Sequence, residues 1–209
     1  MALDVRLAEA ARPVVRLFTW DPPAVSFGFK QERPGWLTAP AWIASGCEWV
    51  ERPTGGGVAF HGSDVSIAVV IPRTWGLALS AVMAAVCESA VKVCERFGVR
   101  AHPVLDAPAS GRIAYCLLER SPYALTVEGR KLAGFALRRY PQSWLVQGSL
   151  LVRPLPTALV RGLPPETMTP LASRACTLEA AAGTPLDLRR VAEGWAVGWP
   201  QGWAAFPER

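Results

Sequence analysis

No run of apolar residues approaches the roughly 18 to 20 that a membrane-spanning helix needs. The most apolar stretch, Leu77–Val93, is broken by Glu88 and Lys92 and reads as a core helix. The N-terminus does not look like a secretory signal either, because charges run through Met1–Arg16. No C-x-x-C pair occurs. The five cysteines (Cys47, Cys87, Cys94, Cys116 and Cys176) are odd in number and scattered, which indicates neither a disulfide framework nor a zinc site. Internal repeats are also absent. The net charge of +5 is modest, and its Lys and Arg residues are dispersed without the basic, aromatic-laced stripe of a nucleic-acid surface. These absences argue against membrane and nucleic-acid partners and lead us to expect a cytoplasmic protein. A mild positive field suits an acidic protein partner, whose encounter rate it would raise.

What is present is ample material for a core: 51% of the residues are hydrophobic and 19% charged. Apolar periodicity predicts a short helix over Ala2–Ala11, ended by Pro13, then strands over Val14–Trp20 and Ala24–Phe29 around an Asp21-Pro22-Pro23 turn. A short helix over Trp36–Ser45 closes at Gly46, and strands follow at Cys47–Val50 and Asp64–Ile71. The longest helix covers Leu77–Phe97 and stops at Gly98. Val99–Pro103 reads as a short strand, Leu105–Gly111 as a loop and Ile113–Leu118 as a short apolar run. Strands are expected at Tyr123–Val127, Lys131–Arg139 and Trp144–Val152, the first two joined by a Glu128-Gly129 turn. Five prolines mark Pro154–Pro170 as a connector, followed by helices over Ala172–Ala182 and Leu186–Trp199 and a Trp-rich tail. The layout is α+β, with mixed or antiparallel sheets packed against helices.

Between two of these strands lies Arg52-Pro53-Thr54-Gly55-Gly56-Gly57-Val58-Ala59-Phe60-His61. Three consecutive glycines cost backbone entropy and suit a place where main chain passes close to another group. Their amides could face a polar or anionic ligand. Downstream, Lys131 emerges from the Glu128-Gly129 turn, fifteen positions after Cys116. A chain reversal at Ser121-Pro122 can bring the two together. An ammonium near a thiol favours the nucleophilic thiolate, and the same ammonium can stabilise the oxyanion of a tetrahedral intermediate. The other candidates read as structural. His102 precedes a proline, Cys87 and Cys94 lie seven apart on one helix face, Cys47 sits in a strand, and Cys176 opens the late helix without a visible partner. Trp195, Trp199 and Trp203 step at about helical spacing, as residues packing a closing helix on the sheet would.

Four motifs in order carry a resemblance: Met1-Ala2-Leu3-Asp4, the stretch Arg16–Gly28, the glycine loop Arg52–His61, and Val127-Glu128-Gly129-Arg130-Lys131-Leu132-Ala133-Gly134. The chain resembles the lipoate-protein ligase A and octanoyltransferase superfamily, which shares its fold with the catalytic domain of biotin ligases. The resemblance implies one catalytic domain over residues 1–209, without an accessory C-terminal domain. It also implies attachment of an octanoyl or lipoyl group to a lysine of a lipoyl carrier domain, such as glycine cleavage H protein or a 2-oxoacid dehydrogenase E2. In the family, the glycine loop and its flanking Arg and His line the acyl pocket and the strand lysine contacts the acyl carbonyl. Those roles fall here on Arg52, Gly55, Gly56, Gly57, His61 and Lys131, with Gln147 where a histidine is usual. One octanoyltransferase branch uses a cysteine upstream of the lysine to carry the acyl group taken from acyl carrier protein, and Cys116 stands in that place. Glu51 replaces a second arginine before the loop, and Phe135 and Leu137 replace small and polar residues. Val58, Phe60, Ile67 and Val69 are expected to supply the apolar pocket. A transferase of this kind needs no cofactor and no metal. The alternatives are an ATP- and magnesium-dependent lipoate-protein ligase, and a non-catalytic acyl- or carrier-binding homologue.

Overall fold

The computed structural model describes residues 1–106, 114–119, 121–199 and 205–207. In chain order, helix α1 (Ala2–Glu9) leads into strands β1 (Val14–Phe18) and β2 (Ala24–Phe27). A 3-10 turn at Gly35–Thr38 and helix α2 (Pro40–Ser45) follow, with Gly46 as the left-handed cap. Next come β3 (Glu48–Glu51), β4 (Ala59–His61), β5 (Asp64–Pro72) and the long helix α3 (Leu79–Arg96). Strands β6 (His102–Val104), β7 (Ala124–Val127), β8 (Arg130–Arg139) and β9 (Ser143–Leu151) complete the strand-rich part. Helices α4 (Thr157–Gly162), α5 (Pro165–Arg174), α6 (Leu178–Ala182) and α7 (Leu188–Val197) close the chain, apart from a last strand β10 (Ala205–Pro207). Among the described residues no helix is long and apolar enough to cross a membrane.

Seven strands form one sheet in the order β10-β1-β5-β9-β8-β7-β6, antiparallel except for the parallel β1–β10 pair. A second sheet has the order β3-β2-β4. Strand β5 is buried at every position because both its faces are covered. Val65, Ile67, Val69 and Ile71 enter the main core with Met83 and Val86 of α3 and Trp195 of α7. Ala68 and Val70 face the other way, onto Ala8 of α1. The second sheet has its own core, in which Val25, Phe27 and Phe60 meet Trp42, Leu159 and Leu171.

The expected α+β layout holds, and the Glu128-Gly129 turn has both residues at positive φ, as a two-residue turn between antiparallel strands requires. Two readings change. The proline-rich stretch Pro154–Pro170 is not a bare connector: it holds α4 and the start of α5, and Pro165 occupies the first helical position, where a missing N–H costs nothing. The helix expected over Ala172–Ala182 is broken in the middle. Ala175 is extended and bridges Lys131, the Cys176 amide donates to the Lys131 carbonyl at 2.9 Å, and Thr177 caps α6 through Ala180 N. Pairing with β8 outweighs the local helical pattern there. Cys116, in the short apolar run, sits in a turn beside the isolated Val58–Tyr115 bridge. Ile113, most of the Leu105–Gly111 loop and Trp203 lie outside the described residues.

Gly148 of β9 lies opposite Phe135 of β8, and the ring occupies the space above it. A Cβ at position 148 would stand 2.1 Å from Phe135 Cδ1. We therefore expect Gly148→Ala to destabilise the protein by about 1–3 kcal/mol, as overpacking does. Urea unfolding of Gly148→Ala, Phe135→Ala and the double variant checks this, with much of the Gly148→Ala loss disappearing once the ring is gone.

Candidate active site

A cavity of about 340 Å³ opens between the two sheets, lined mostly by apolar surface. Ile67, Gly134 and Gln147 contribute from the large sheet, Ser26 and Phe60 from the small one. Arg52, Gly55, Gly56, His61, Cys116 and Lys131 all border it. Of the residues expected to form its apolar wall, Phe60 and Ile67 do so. Val58 is buried in the core of the second sheet and Val69 in the main core, so these two are corrections. Residues i and i+2 share a face, so Val58 lies on the side of Phe60 and Val69 on the side of Ile67; what separates them is position along the strand, beyond the reach of the cavity.

Lys131 reaches the cavity through an irregularity. Leu125 pairs with Ala133, but the next residue, Thr126, pairs with Lys131, so Leu132 is an extra residue in β8. Without that bulge, strict alternation would put Lys131 on the face opposite Gly134. With it, Lys131 shares the face of Gly134, and its Cε lies 3.2 Å from where a Gly134 Cβ would be. The Nζ donates to Ser121 Oγ at 2.7 Å and to the Glu119 carbonyl at 3.1 Å. Burial lowers the lysine's pKa from its ordinary 10.5, opposed by negative charge at Cys116 and Glu119.

Cys116 is half-buried and in contact with the Arg52 cation. Arg52 Nη2 lies 3.3 Å from the sulfur, which itself donates to the Gly57 carbonyl at 3.3 Å. The guanidinium also donates to the carbonyls of Gly55, Gly57 and Ser26 and to Ser26 Oγ. The glycine loop therefore turns carbonyls, rather than amides, toward the guanidinium and the thiol. Close approach explains the small residues: a Cβ on Gly28 would sit 2.1 Å from the Gly56 carbonyl oxygen. Burial pushes the thiols of Cys87 and Cys94 up to about 12, and raises Cys176 as well. Of the cysteines, Cys116 is the one that borders the cavity.

Residues 1–196 match the family model described as "Lipoyl protein ligase A/B catalytic domain". The chain belongs to the lipoyl protein ligase A/B catalytic-domain family. It is 31% identical to octanoyltransferase LipM of Symbiobacterium thermophilum, over 95% of this chain and 80% of that protein. It is 32% identical to octanoyltransferase LipM of Kyrpidia tusciae, over 90% of this chain and 75% of that protein. In fold it is similar to Ta0514 of T. acidophilum, a putative lipoate protein ligase solved with bound lipoic acid. That likeness has a TM-score of 0.68 at 15% identity, over 99% of this chain and 85% of that one. Similarity also extends to lipoate-protein ligase A bound with ATP, with a TM-score of 0.69 at 16% identity over 94% and 75% of the two chains.

For a lipoyl protein ligase A/B family member, the site brings together nearly all the residues expected from sequence. Gly57 contributes its carbonyl to Arg52 and Cys116. Gln147 borders the cavity, but its amide is committed to the protein: Oε1 accepts from Thr54 Oγ1 at 2.9 Å, while Nε2 donates to Asp4 Oδ2 at 2.7 Å. It ties the glycine loop to α1. His61 is stacked under Trp20, with ring centroids 4.2 Å apart, and contacts Asp64 Oδ2 through Nδ1 at 2.9 Å. Sequence reading missed Ser26, Asp64, Ser66, Ser121 and Ser149. The available signal was polar residues set inside otherwise apolar strands, as in Asp64-Val65-Ser66-Ile67. Among the described residues no group of three or more His, Cys, Asp or Glu could hold a metal ion.

Asp64 is fully buried. Burial alone would raise its carboxyl, but His61 beside it and hydrogen bonds from His61, Ser149 and Ser66 hold it below the ordinary 3.8. A carboxylate depressed in the folded state stabilises the protein above its unfolded pKa, and that contribution fades as pH falls through the folded one. Asp64→Asn is thus expected to lower stability by about 2 kcal/mol at pH 7. Denaturant titrations should show the gap to wild type closing as pH drops below 3.8.

Proposed function

We propose that the protein moves an octanoyl group from an acyl carrier protein to a lysine of a lipoyl carrier domain, through a thioester on Cys116. The observation that carries this reading is one cavity, largely apolar, bordered by the Cys116 sulfur, the Lys131 amine and the glycine loop. Kinship with two octanoyltransferases at 31% and 32% identity supports the same donor and acceptor.

The alkyl chain occupies the cavity, favoured by roughly 0.8 kcal/mol per buried methylene. Its thioester carbonyl then lies beside Cys116. The sulfur, held by Arg52, attacks the carbonyl carbon, and the carbonyl oxygen takes up the displaced electron pair. Lys131, as the ammonium, donates a hydrogen bond to that oxyanion. Collapse breaks the bond to the carrier sulfur, which leaves with the proton that Cys116 gave up. In the second half-reaction the neutral amine of the target lysine attacks the Cys116 thioester. Its surplus proton returns to the departing Cys116 sulfur, and an amide remains. The lowered basicity of Lys131 makes it a readier proton donor than an ordinary lysine in that step. Two half-reactions through one thiol give ping-pong kinetics and need no nucleotide.

Incubation with octanoyl-acyl carrier protein should add one octanoyl mass to the chain without ATP, and Cys116→Ser should abolish the adduct. An adduct surviving in that variant removes the sulfur from the reaction. Transfer from free lipoate only when ATP is supplied would point to a ligase instead.

Lys131→Met should slow transfer by about 10²- to 10³-fold while raising the thermal midpoint at pH 7. The sign follows from burial. The folded-state pKa lies below the unfolded value, so the folded protein carries the full penalty of a buried charge below both values. That penalty is lost as pH rises to the unfolded 10.5. Thermal melts from pH 7 to pH 11 should show the stability gain shrinking; a gain that grows with pH contradicts this assignment.

A further inference from the structure

Beside the thiol runs a line of buried polar groups that the transfer reaction leaves unused. Asp64 Oδ2 lies 2.9 Å from His61 Nδ1, and His61 Nε2 lies 2.7 Å from Ser26 Oγ. Ser26 Oγ in turn accepts from Arg52 Nη1 at 3.0 Å, and Arg52 Nη2 lies 3.3 Å from Cys116 Sγ. The order Asp–His–Ser is that of a nucleophilic triad. Ser26 and Asp64 are completely buried, however, His61 is 4% exposed beneath the Trp20 ring, and the Ser26 hydroxyl is engaged by both His61 and Arg52, an arrangement that suits holding rather than attack.

We propose that Asp64, His61 and Ser26 are positioning residues that hold the Arg52 guanidinium against the Cys116 sulfur. This deepens the octanoyltransferase reading and rests on Cys116 being the reacting thiol. Hydrogen inventory makes the case. The guanidinium has five N–H donors and no acceptor. Nε points at the Gly55 carbonyl at 3.3 Å, and Nη1 serves the Ser26 carbonyl at 3.1 Å and Ser26 Oγ at 3.0 Å. Nη2 has two hydrogens for three acceptors: Gly57 O at 2.6 Å, Gly55 O at 3.0 Å and the sulfur at 3.3 Å. Gly57 holds one of them. The Gly55 carbonyl and the sulfur compete for the other, and a small pivot of the guanidinium plane decides between them.

The Ser26 hydroxyl stops that pivot because it is itself oriented. In the tautomer of His61 that carries its proton on Nδ1, facing Asp64, the single Ser26 proton goes to Nε2, which leaves lone pairs for Arg52. His61 Nδ1–H is fixed by Asp64, and that carboxylate is fixed by Ser66 Oγ at 2.8 Å, Ser149 Oγ at 2.6 Å and the Gly62 amide at 3.1 Å. Trp20 closes the circuit: it stacks on the imidazole and donates through Nε1 to Ser66 Oγ at 2.9 Å. Loss of the Ser26 hydroxyl leaves Nη1 with one anchor and frees Nη2 to turn to Gly55.

The test reads Cys116 directly. The rate of iodoacetamide modification of the Cys116 peptide is followed by mass spectrometry in the unacylated protein. Ser26→Ala should slow it about tenfold, the scale of one hydrogen bond to a charged group, and by less than about twofold when Arg52 is already Lys. In steady state kcat should fall with KM for the octanoyl donor unchanged. An unchanged alkylation rate in Ser26→Ala, or an equal slowing in the Arg52→Lys background, overturns the proposal. Ser26→Cys, near-isosteric but a weak hydrogen-bonding group, carries the same expectation if Ser26→Ala fails to fold. Alkylation needs no acyl donor. An intact acyl adduct with a failed cycle therefore sinks only the relay, and an intact cycle without an adduct sinks only the transferase reading.

Discussion

Everything at this site hangs on the Arg52 guanidinium. It is 7% exposed, and a buried charge is tolerated only where its donors find partners. Five N–H groups meet the Gly55, Gly57 and Ser26 carbonyls, the Ser26 hydroxyl and the Cys116 sulfur. The loop can wrap one cation this closely because no side chain stands between it and the neighbouring strand end at Gly28. The glycines make room for the cation, and the cation in turn gives a loop without side chains a fixed shape. A thiol placed against that cation then sits beside a guanidinium held by four other acceptors.

A buried ion pair supports this cluster from behind. Asp4 of α1 accepts from Arg16 of β1 at 2.7 and 2.9 Å, and its other oxygen accepts from Gln147. Gln147 passes the constraint to Thr54, one residue before the triple glycine. Breaking such a pair from one side costs far more than the pair is worth against an apolar core. Its contribution here is register: it fixes the glycine loop relative to the large sheet, across which the cavity must line up.

Much of this was legible in sequence, and the failures share a cause. The strands Val14–Phe18, Asp64–Pro72 and Arg130–Arg139 announce themselves by apolar runs, and the loop by its glycines. Cys116 and Lys131 border one cavity and interact electrostatically, while the cation in hydrogen-bond contact with the sulfur is Arg52, which the sequence reading did not connect to it. A fifteen-residue spacing says nothing about Arg52, which arrives from another sheet. The bulge at Leu132 was equally invisible, since one extra residue in a strand leaves no compositional mark yet moves Lys131 to the other face. At Ala175–Cys176 the helical pattern was real and lost to a long-range pairing with β8. The polar line from Asp64 to Ser26 was missed because alternation was read only for its apolar members.

Among the described residues, 114–119 around Cys116 form a turn and an isolated bridge rather than a helix or strand, so the position of this segment must be borrowed. At its start the Val58 amide donates to Ala114 O at 2.7 Å and the Cys116 amide to Val58 O at 2.8 Å, which stitches it to the strand after the glycines. Within it, Glu119 Oε1 accepts from the Ala114 and Tyr115 amides at 2.7 and 3.2 Å. At its end Lys131 Nζ holds the Glu119 carbonyl and the Ser121 hydroxyl. The amine proposed to meet the oxyanion is thus also the clasp of the loop that carries the sulfur. If the loop shifts, the clasp shifts with it. Under the proposed reaction, that arrangement would keep nucleophile and ammonium in step while a carrier protein delivers its chain, and it would account for a lysine being buried here at all. A cation needed only for structure could have been an apolar residue, whereas one that must follow the thiol has to be tied to it.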